Sequence, residues 1–401
     1  MSETADVVVV GGGVNGASIA CALASAGVKR VILLEQAALA NGASGRSSAV
    51  IRMHYTNAED ARLAWASCPV FTNWPEIMGG PPVFTHTGFV AVVSHADAAA
   101  LRQNVEMLRG IGINTIALSP ADLRDLQPFV SVDDIGAAAY EPDAGYANPA
   151  DVVEGFRRRA EERGARILQW TRVTRLLRRE SAVIGVETSA GRIEAGAVVV
   201  AAGAWAPRLC GEAGIALPAR PKALDTVLVQ RPAELAEPHM IFIDHVQGTY
   251  FRPESRILTL VGVPCTVWDV DPDTMPTGLP PGAAAEGAQI LTHRIPSMER
   301  ATLSRGYRAF DCYSADRHAI LGKVDGVDGL YLATGFSGSG FKIAPAVGTC
   351  LAELITEGRA KTVDISAFSL CRFAEGRPLE GPHPYAPRRD HLEPSPPGVR
   401  S

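Results

Sequence analysis

What this chain lacks narrows it before any motif is read. Its seven cysteines are scattered over 401 residues and no two are spaced as C-x-x-C. Neither a zinc site nor a disulfide framework is indicated, and the odd count fits reduced thiols. There is no excess of positive charge: 38 lysines and arginines stand against 43 acids, a formal net charge of −5. Such a balance argues against non-specific binding of nucleic acid. No run of about 18 apolar residues is present, so no membrane-spanning helix is expected. No basic segment precedes the first apolar run, which starts at Val7 and ends in glycines. That run reads as a strand and not as a signal peptide. No internal repeat is visible. The absences lead us to expect a cytoplasmic protein with no nucleic-acid partner, no metal and no integral membrane segment.

What is present is ordinary globular composition, 47% hydrophobic and 20% charged, in a chain long enough for two domains. Val7 to Val10 is a β-branched run closed by Gly11-Gly12-Gly13, the pattern of a buried parallel strand. Residues 15–26 are rich in alanine, with Ile19 and Leu23 among them; they predict a helix lying close on a sheet, stopped by Gly27. Val31 to Leu34 is a second buried strand ending at Glu35, which completes a βαβ unit. Farther along, a helix is expected over 151–163, strands over 165–168 and 173–177, and a hairpin of 183–188 with 192–194. A buried strand over 197–202 ends at Gly203, a strand over 330–334 runs into Gly335, and a helix follows over 347–355. Three apolar strands therefore end in glycine turns near positions 10, 202 and 334. Ligands of open parallel sheets sit at the carboxyl ends of strands, so one domain built from distant segments would bring these turns together. Its segments are 1–84, 145–220 and 302–376. The stretches 85–144 and 221–301 alternate more and carry more proline, and read as a second, sheet-rich domain inserted twice. Residues 377–401 hold seven prolines and read as an extended, partly disordered tail.

Gly11-Gly12-Gly13-Val14-Asn15-Gly16 matches G-x-G-x-x-G, follows a strand and opens a helix, and Glu35 ends the next strand 19 residues beyond Gly16. Gly11 permits the tight turn, Gly13 lets backbone approach a pyrophosphate, and Gly16 lets helix and strand pack. Val14 and Asn15 begin the helix whose free N–H groups face the phosphates. Glu35 can accept hydrogen bonds from a ribose. This implies a bound dinucleotide without choosing between FAD and NAD. The choice comes from the segment Asn41 to Ser48. Ser44, Arg46, Ser47 and Ser48 are small donors around one guanidinium, able to wrap a second stretch of diphosphate and ribityl chain. That points to FAD.

These motifs, with Val200-Ala201-Ala202-Gly203-Ala204-Trp205 and Gly335-Phe336-Ser337-Gly338-Ser339-Gly340-Phe341-Lys342 in that order, resemble the FAD-dependent D-amino-acid oxidase superfamily. The likeness is to its sarcosine oxidase and dimethylglycine dehydrogenase branch. It implies an α/β and α+β fold: a Rossmann-like FAD-binding domain with an inserted antiparallel-sheet substrate domain. It implies oxidation of an amine C–N bond to an imine, with a small-molecule amine or amino acid as substrate and oxygen or another electron acceptor. Residue by residue, it implies that Gly11, Gly13, Gly16 and Glu35 hold the ADP half and that Val173 meets the adenine. Ser44, Arg46, Ser47 and Ser48 flank pyrophosphate and flavin, and Ala202, Gly203 and Trp205 lie beside the cofactor. Gly335, Gly338, Ser339, Gly340, Phe341 and Lys342 run along the flavin edge. Arg52 and Lys342 match the pair that binds the substrate carboxylate.

That pair also makes sense on its own terms. A carboxylate suits the planar fork of an arginine, and a lysine adds a point charge from another strand end; the clamp would orient the reacting carbon. Tyr250 is expected over the flavin face and Arg252 on a second acidic group. His54 and Tyr55 follow Arg52, and His54 is the base that a competing 2-hydroxy-acid dehydrogenase would use. His245 and His318 rank below it, and Asp316 is assigned no chemistry. Relatives implied by the resemblance anchor flavin through a cysteine, but ungapped alignment from Asp316 puts Ala309 there. FAD is therefore expected to be non-covalent, with linkage through the offset Cys312 the alternative. Thr259 stands where the monomeric oxidases carry an oxygen-activating lysine, which favours an acceptor other than oxygen. A further reading is a flavin subunit of a larger amine-oxidising complex, and the oligomeric state is left open.

Overall fold

The computed structural model describes residues 3–235 and 238–386. Its first sheet is doubly wound. In space the strands run Val173–Arg179, Ala182–Thr188, Gly191–Val200, Glu3–Val10, Val31–Leu34 and Arg166–Leu168, with Leu330–Thr334 also pairing Gly191–Val200 and Ile320–Lys323 beyond it. The central pairs are parallel and in step: Val10 lies opposite Leu34 and Val200, and Val200 opposite Leu332. Three strand ends separated by more than a hundred residues are thus level, and the glycine turns that follow them abut. The level ends of the central strands, residues 7–10, 31–34, 197–200 and 330–334, are mostly apolar because both faces are covered. On one face helix Val14–Ser25 packs between Pro149–Glu162 and Gly340–Glu357, its small side chains allowing the close approach.

The second sheet is mostly antiparallel. Its order is Thr302–Ser314, Ala219–Gln230, Leu258–Val263, Thr249–Glu254, Ile241–Asp244, Phe89–Val93, Ala137–Glu141 and Ile116–Leu118. A small third sheet joins Val50–Ile51, Gly145–Ala147 and Phe84–His86. Thr302–Ser314 belongs to the second sheet, paired along nearly all of Ala219–Gln230. The expected boundary at 302 therefore moves to the end of this strand, whose last residues reach the first domain. The expected strands 192–194 and 197–202 are one continuous strand, Gly191–Val200, because its charged first half is the exposed end of a hairpin. The helix expected over 347–355 opens at Gly340, seven residues before the expected start, and carries Pro345 inside it. Its glycine-rich first turn reads as loop in the sequence.

Residues 377–386, the described part of the expected extended tail, are tied to the rest of the chain. Leu379 N donates to Asp316 at 2.9 Å, the His383 carbonyl accepts from Asn104 Nδ2 at 2.9 Å, and Ala386 N donates to Asp97 at 3.2 Å. The remainder of the proline-rich stretch, 387–401, lies outside the described residues. No helix among the described residues is long and apolar enough to cross a membrane.

Candidate active site

A cavity of about 630 Å³ opens at the level strand ends and runs to the second sheet. Its first part is a cradle. Gly11 has φ +110°, and a Cβ there would sit 2.5 Å from the Ala201 carbonyl oxygen. Gly13 caps the first helix with no side-chain hydrogen bond, so that helix end is open to an anion. Gly16 does not line the cavity: a Cβ would lie 1.8 Å from the Gly11 oxygen, which makes it the packing glycine. Ser44 Oγ accepts from Val14 N at 2.9 Å and fixes the Asn41 to Ser48 loop on the helix end. The Glu35 carboxylate accepts from Gly12 N at 2.7 Å and Ala37 N at 2.9 Å, which aims it into the cavity with lone pairs left for a ribose. Asn15 donates to the Gly340 carbonyl at 3.2 Å and joins the first helix to Gly340–Glu357. Its buried Oδ1 has no partner, and it lines the cavity as an acceptor for a ligand donor. Narrow glycine backbone, an open helix end, an aimed carboxylate and an orphaned acceptor together fit a dinucleotide.

Most of the other residues expected at a cofactor line the same cavity. Val14, Arg46, Ser47, Ser48 and Val173 line the cavity, as do Ala202, Gly203 and Trp205. Arg46 donates to the carbonyls of Asn41 and Gly42, bracing its own loop. The Trp205 indole donates to Asp273 at 2.7 Å, and Asp273 also pairs with Arg208 and Arg172. Gly338, Ser339, Gly340, Phe341 and Lys342 line the far end, whereas Gly335 (φ +64°) makes the turn behind them against Ser314 and Ile320.

At that end two cations converge. The Arg52 guanidinium lies 4.6 Å from the centre of the Tyr55 ring and 5.6 Å from that of Phe89, and donates to the His54 carbonyl. Its loop is pinned by Met53 N donating to the buried Glu141 at 2.8 Å. Lys342 is 5% exposed, and its ammonium donates to the Gly338 carbonyl at 3.3 Å. Burial first, and the Arg52 charge second, push its pKa down to about 7. Neither cation forms an ion pair with an acid among the described residues. Tyr250 also lines the cavity. Its ring has room because residue 262 opposite it is glycine, where a Cβ would come within 2.3 Å of the ring.

Four expected positions are corrected. His54 is buried and turned away: its Nε2 shares a 2.7 Å hydrogen bond with the hydroxyl of Tyr385 from the C-terminal segment, and its ring does not line the cavity. Burial holds it neutral, with a pKa near 3. Arg252 is an interdomain strut. It donates to the Ser48 carbonyl at 2.6 Å, pairs with Glu254 at 2.6 Å, and lies over the Tyr146 ring. Cys312 sits in the core behind the sheet, because alternation along Thr302–Ser314 puts Ala309, Asp311 and Tyr313 on the cavity side. Burial pushes its thiol up to about 12. Thr259 faces His239, 2.8 Å from its Nε2, and not the cavity.

Asp60 and Asp311, assigned no site role in the sequence, line the same cavity, as does His318, which ranks below His54 in the sequence. Asp311 accepts from Gly338 N at 2.7 Å and holds the glycine turn beside Lys342. Asp60 accepts from His318 Nδ1 at 2.6 Å. The capping pattern Asn57-x-x-Asp60 marks the helix start, but nothing in the sequence pairs it with a histidine 258 residues away.

A doubly wound sheet with this cradle, and a second sheet closing over one end, defines a dinucleotide-dependent oxidoreductase. A family model described as FAD dependent oxidoreductase (DAO) matches residues 6–354, and the chain belongs to that family. It is 28% identical to FAD-dependent oxidoreductase domain-containing protein 1 of Mus musculus, over 94% of this chain and 86% of that one. It is 27% identical to the sarcosine oxidase subunit beta of an Arthrobacter species, over 94% and 92% of the two chains. Among solved structures, L-proline dehydrogenase from P. horikoshii superimposes with a TM-score of 0.86 at 26% identity, covering 94% of this chain and all of that one. The protein is an FAD-dependent oxidoreductase related to amine and amino-acid oxidases and dehydrogenases.

Proposed function

We propose that the enzyme oxidises the C–N bond of a carboxylate-bearing amine, such as a secondary amine or N-methyl amino acid, to an imine. The observation that carries this reading is the convergence of a half-buried Arg52 and a buried Lys342, neither in an ion pair with an acid among the described residues, at one end of the cavity. Bound FAD supplies the hydride acceptor; the chain supplies orientation and charge. Arg52 takes one carboxylate edge with its fork while Tyr55 and Phe89 hold the guanidinium plane. Lys342 neutralises the other oxygen. With the carboxylate fixed, the adjacent carbon is positioned toward the cofactor, an effect of proximity and orientation. Tyr250 shapes the opposite wall, and released imine hydrolyses in water. FAD is held non-covalently, since Cys312 faces the core.

The test is anaerobic bleaching of the flavin by N-methyl amino acids, with 2-hydroxy acids and carboxylate-free amines as comparators. Bleaching confined to carboxylate-bearing amines, with affinity lost in Arg52→Ala, is expected. Bleaching by hydroxy acids alone overturns the reading. The likeness to a sarcosine oxidase subunit supports assembly into a complex; turnover by the isolated chain would refute an obligate one.

A further inference from the structure

The mechanism above leaves one requirement unmet. An ammonium has no lone pair, so an amine that arrives protonated must lose a proton inside the cavity before its carbon can give up a hydride. Of the histidines near the clamp, His54 cannot serve, since its ring is locked against Tyr385 away from the cavity. His318 is built differently. Its Nδ1 is 2.6 Å from Asp60 Oδ2, and Asp60 is 1% exposed. Asn57 donates to the same carboxylate oxygen at 2.9 Å, while Asp60 Oδ1 is buried without a partner. The His318 backbone is fixed on both sides: its N–H donates to Asp316 at 3.2 Å, and its carbonyl accepts from Ser314 Oγ at 2.6 Å and Arg372 at 3.1 Å. Arg372 and Asp316 themselves form a buried ion pair. With Nδ1–H donated to a carboxylate, the tautomer leaves the lone pair on Nε2, at the other side of a ring that lines the same cavity as Arg52 and Lys342.

We propose that His318, oriented by Asp60, accepts the proton of the substrate's ammonium nitrogen. The proposal rests on the amine-oxidation reading. In the step the N–H bond breaks, its electron pair stays on nitrogen, and the proton forms a bond to Nε2. The imidazolium so created faces the Asp60 carboxylate, which stabilises it as a buried acid stabilises the histidine of a hydrolase triad. The charged groups around the ring are Asp60 from helix Ala58–Thr72, Asp316 and Arg317 on its own loop, Arg372 from the segment Cys371–Ala374, and Lys342 and Arg52 across the cavity. Burial alone would lower the His318 pKa. Asp60 and Asp316 outweigh it and Arg372, so the ring titrates above the ordinary histidine value.

The experiment is anaerobic stopped-flow reduction of the holoenzyme by an N-methyl amino acid across neutral to alkaline pH, in wild type, His318→Gln and Asp60→Asn. In H318Q the rate at neutral pH should fall by about 10²-fold. It should then climb tenfold per pH unit toward the substrate's own amine pKa, where the amine arrives neutral and the variant approaches wild type. In D60N the acid limb should move to lower pH, because the imidazolium has lost its counter-charge; this readout stands even if H318Q fails to retain flavin. A wild-type pH profile in either variant, or a loss in H318Q that is uniform across pH, overturns the proposal. If amines fail to reduce the wild-type flavin at all, the amine reading itself falls and takes this proposal with it.

Discussion

The pKa of the Lys342 ammonium is pushed down from 10.5 to about 7, so its surroundings disfavour the charged form by roughly 5 kcal/mol. Burial is the larger cause and the Arg52 guanidinium the second. A carboxylate seated between the two cations reverses the second cause and offsets the first. Binding of a carboxylate must therefore draw a proton onto Lys342 whenever the solution pH lies above about 7. Linkage then requires the dissociation constant to rise about tenfold per pH unit above that point, until the raised pKa of the liganded lysine is passed. The assay is a titration of the oxidised holoenzyme with a simple carboxylate lacking an amine, followed by the perturbation of flavin absorbance. Lys342→Gln should bind weakly and without this slope. Arg52→Gln should also bind weakly, but its slope should begin at higher pH because the repelling charge is gone. His318→Gln should keep the slope, which separates the lysine from the neighbouring imidazole. Affinity that stays flat from neutral to alkaline pH in wild type would refute the converging-cation argument, as would an undiminished slope in K342Q.

Glu141, buried behind the Arg52 loop, has its pKa raised from 4.5 to about 7 by burial. The folded state therefore keeps a proton that the unfolded chain loses within that window, so stability should fall as pH rises through it. The loss is roughly 3 kcal/mol, and urea midpoints should show it in wild type and not in Glu141→Gln. Gly16→Ala places a methyl 1.8 Å from the Gly11 oxygen; the flavin-to-protein ratio should drop sharply and thermal unfolding come earlier. Arg252→Met removes the 2.6 Å bond to Ser48 and should cost about 1–3 kcal/mol of stability and weaken flavin retention. The KM for substrate should be unmoved; a raised KM would restore Arg252 to the substrate.

Local chemistry carried the cofactor half of the site into the sequence. A strand, a glycine turn and a helix N-terminus form within a dozen residues, so Gly11, Gly13, Gly16 and Glu35 follow from steric rules that hold wherever the unit occurs. The meeting of turns at 10, 202 and 334 was also legible, because buried parallel strands are apolar on both faces and stand out at any distance. Boundaries were less so. Thr302–Ser314 crosses from one domain to the other in a single strand, and no change of composition marks the crossing.

The polar half of the site resisted for a different reason. His54 and His318 are alike as sequence: each is a lone histidine within two residues of an arginine. Which one meets solvent, substrate or core is decided by partners far along the chain, Tyr385 for the first and Asp60 for the second. Neither contact has a spacing that pattern can detect. The C-terminal segment shows the same limit, since its prolines exclude helix and ladder but say nothing about docking. Tyr385 is the residue that docks it, seated beside His54 and His245. By filling the space against His54 it removes that imidazole from the chemistry and leaves the cavity to His318. A proline-rich ending thus helps to decide which histidine can act as a base 67 residues before it.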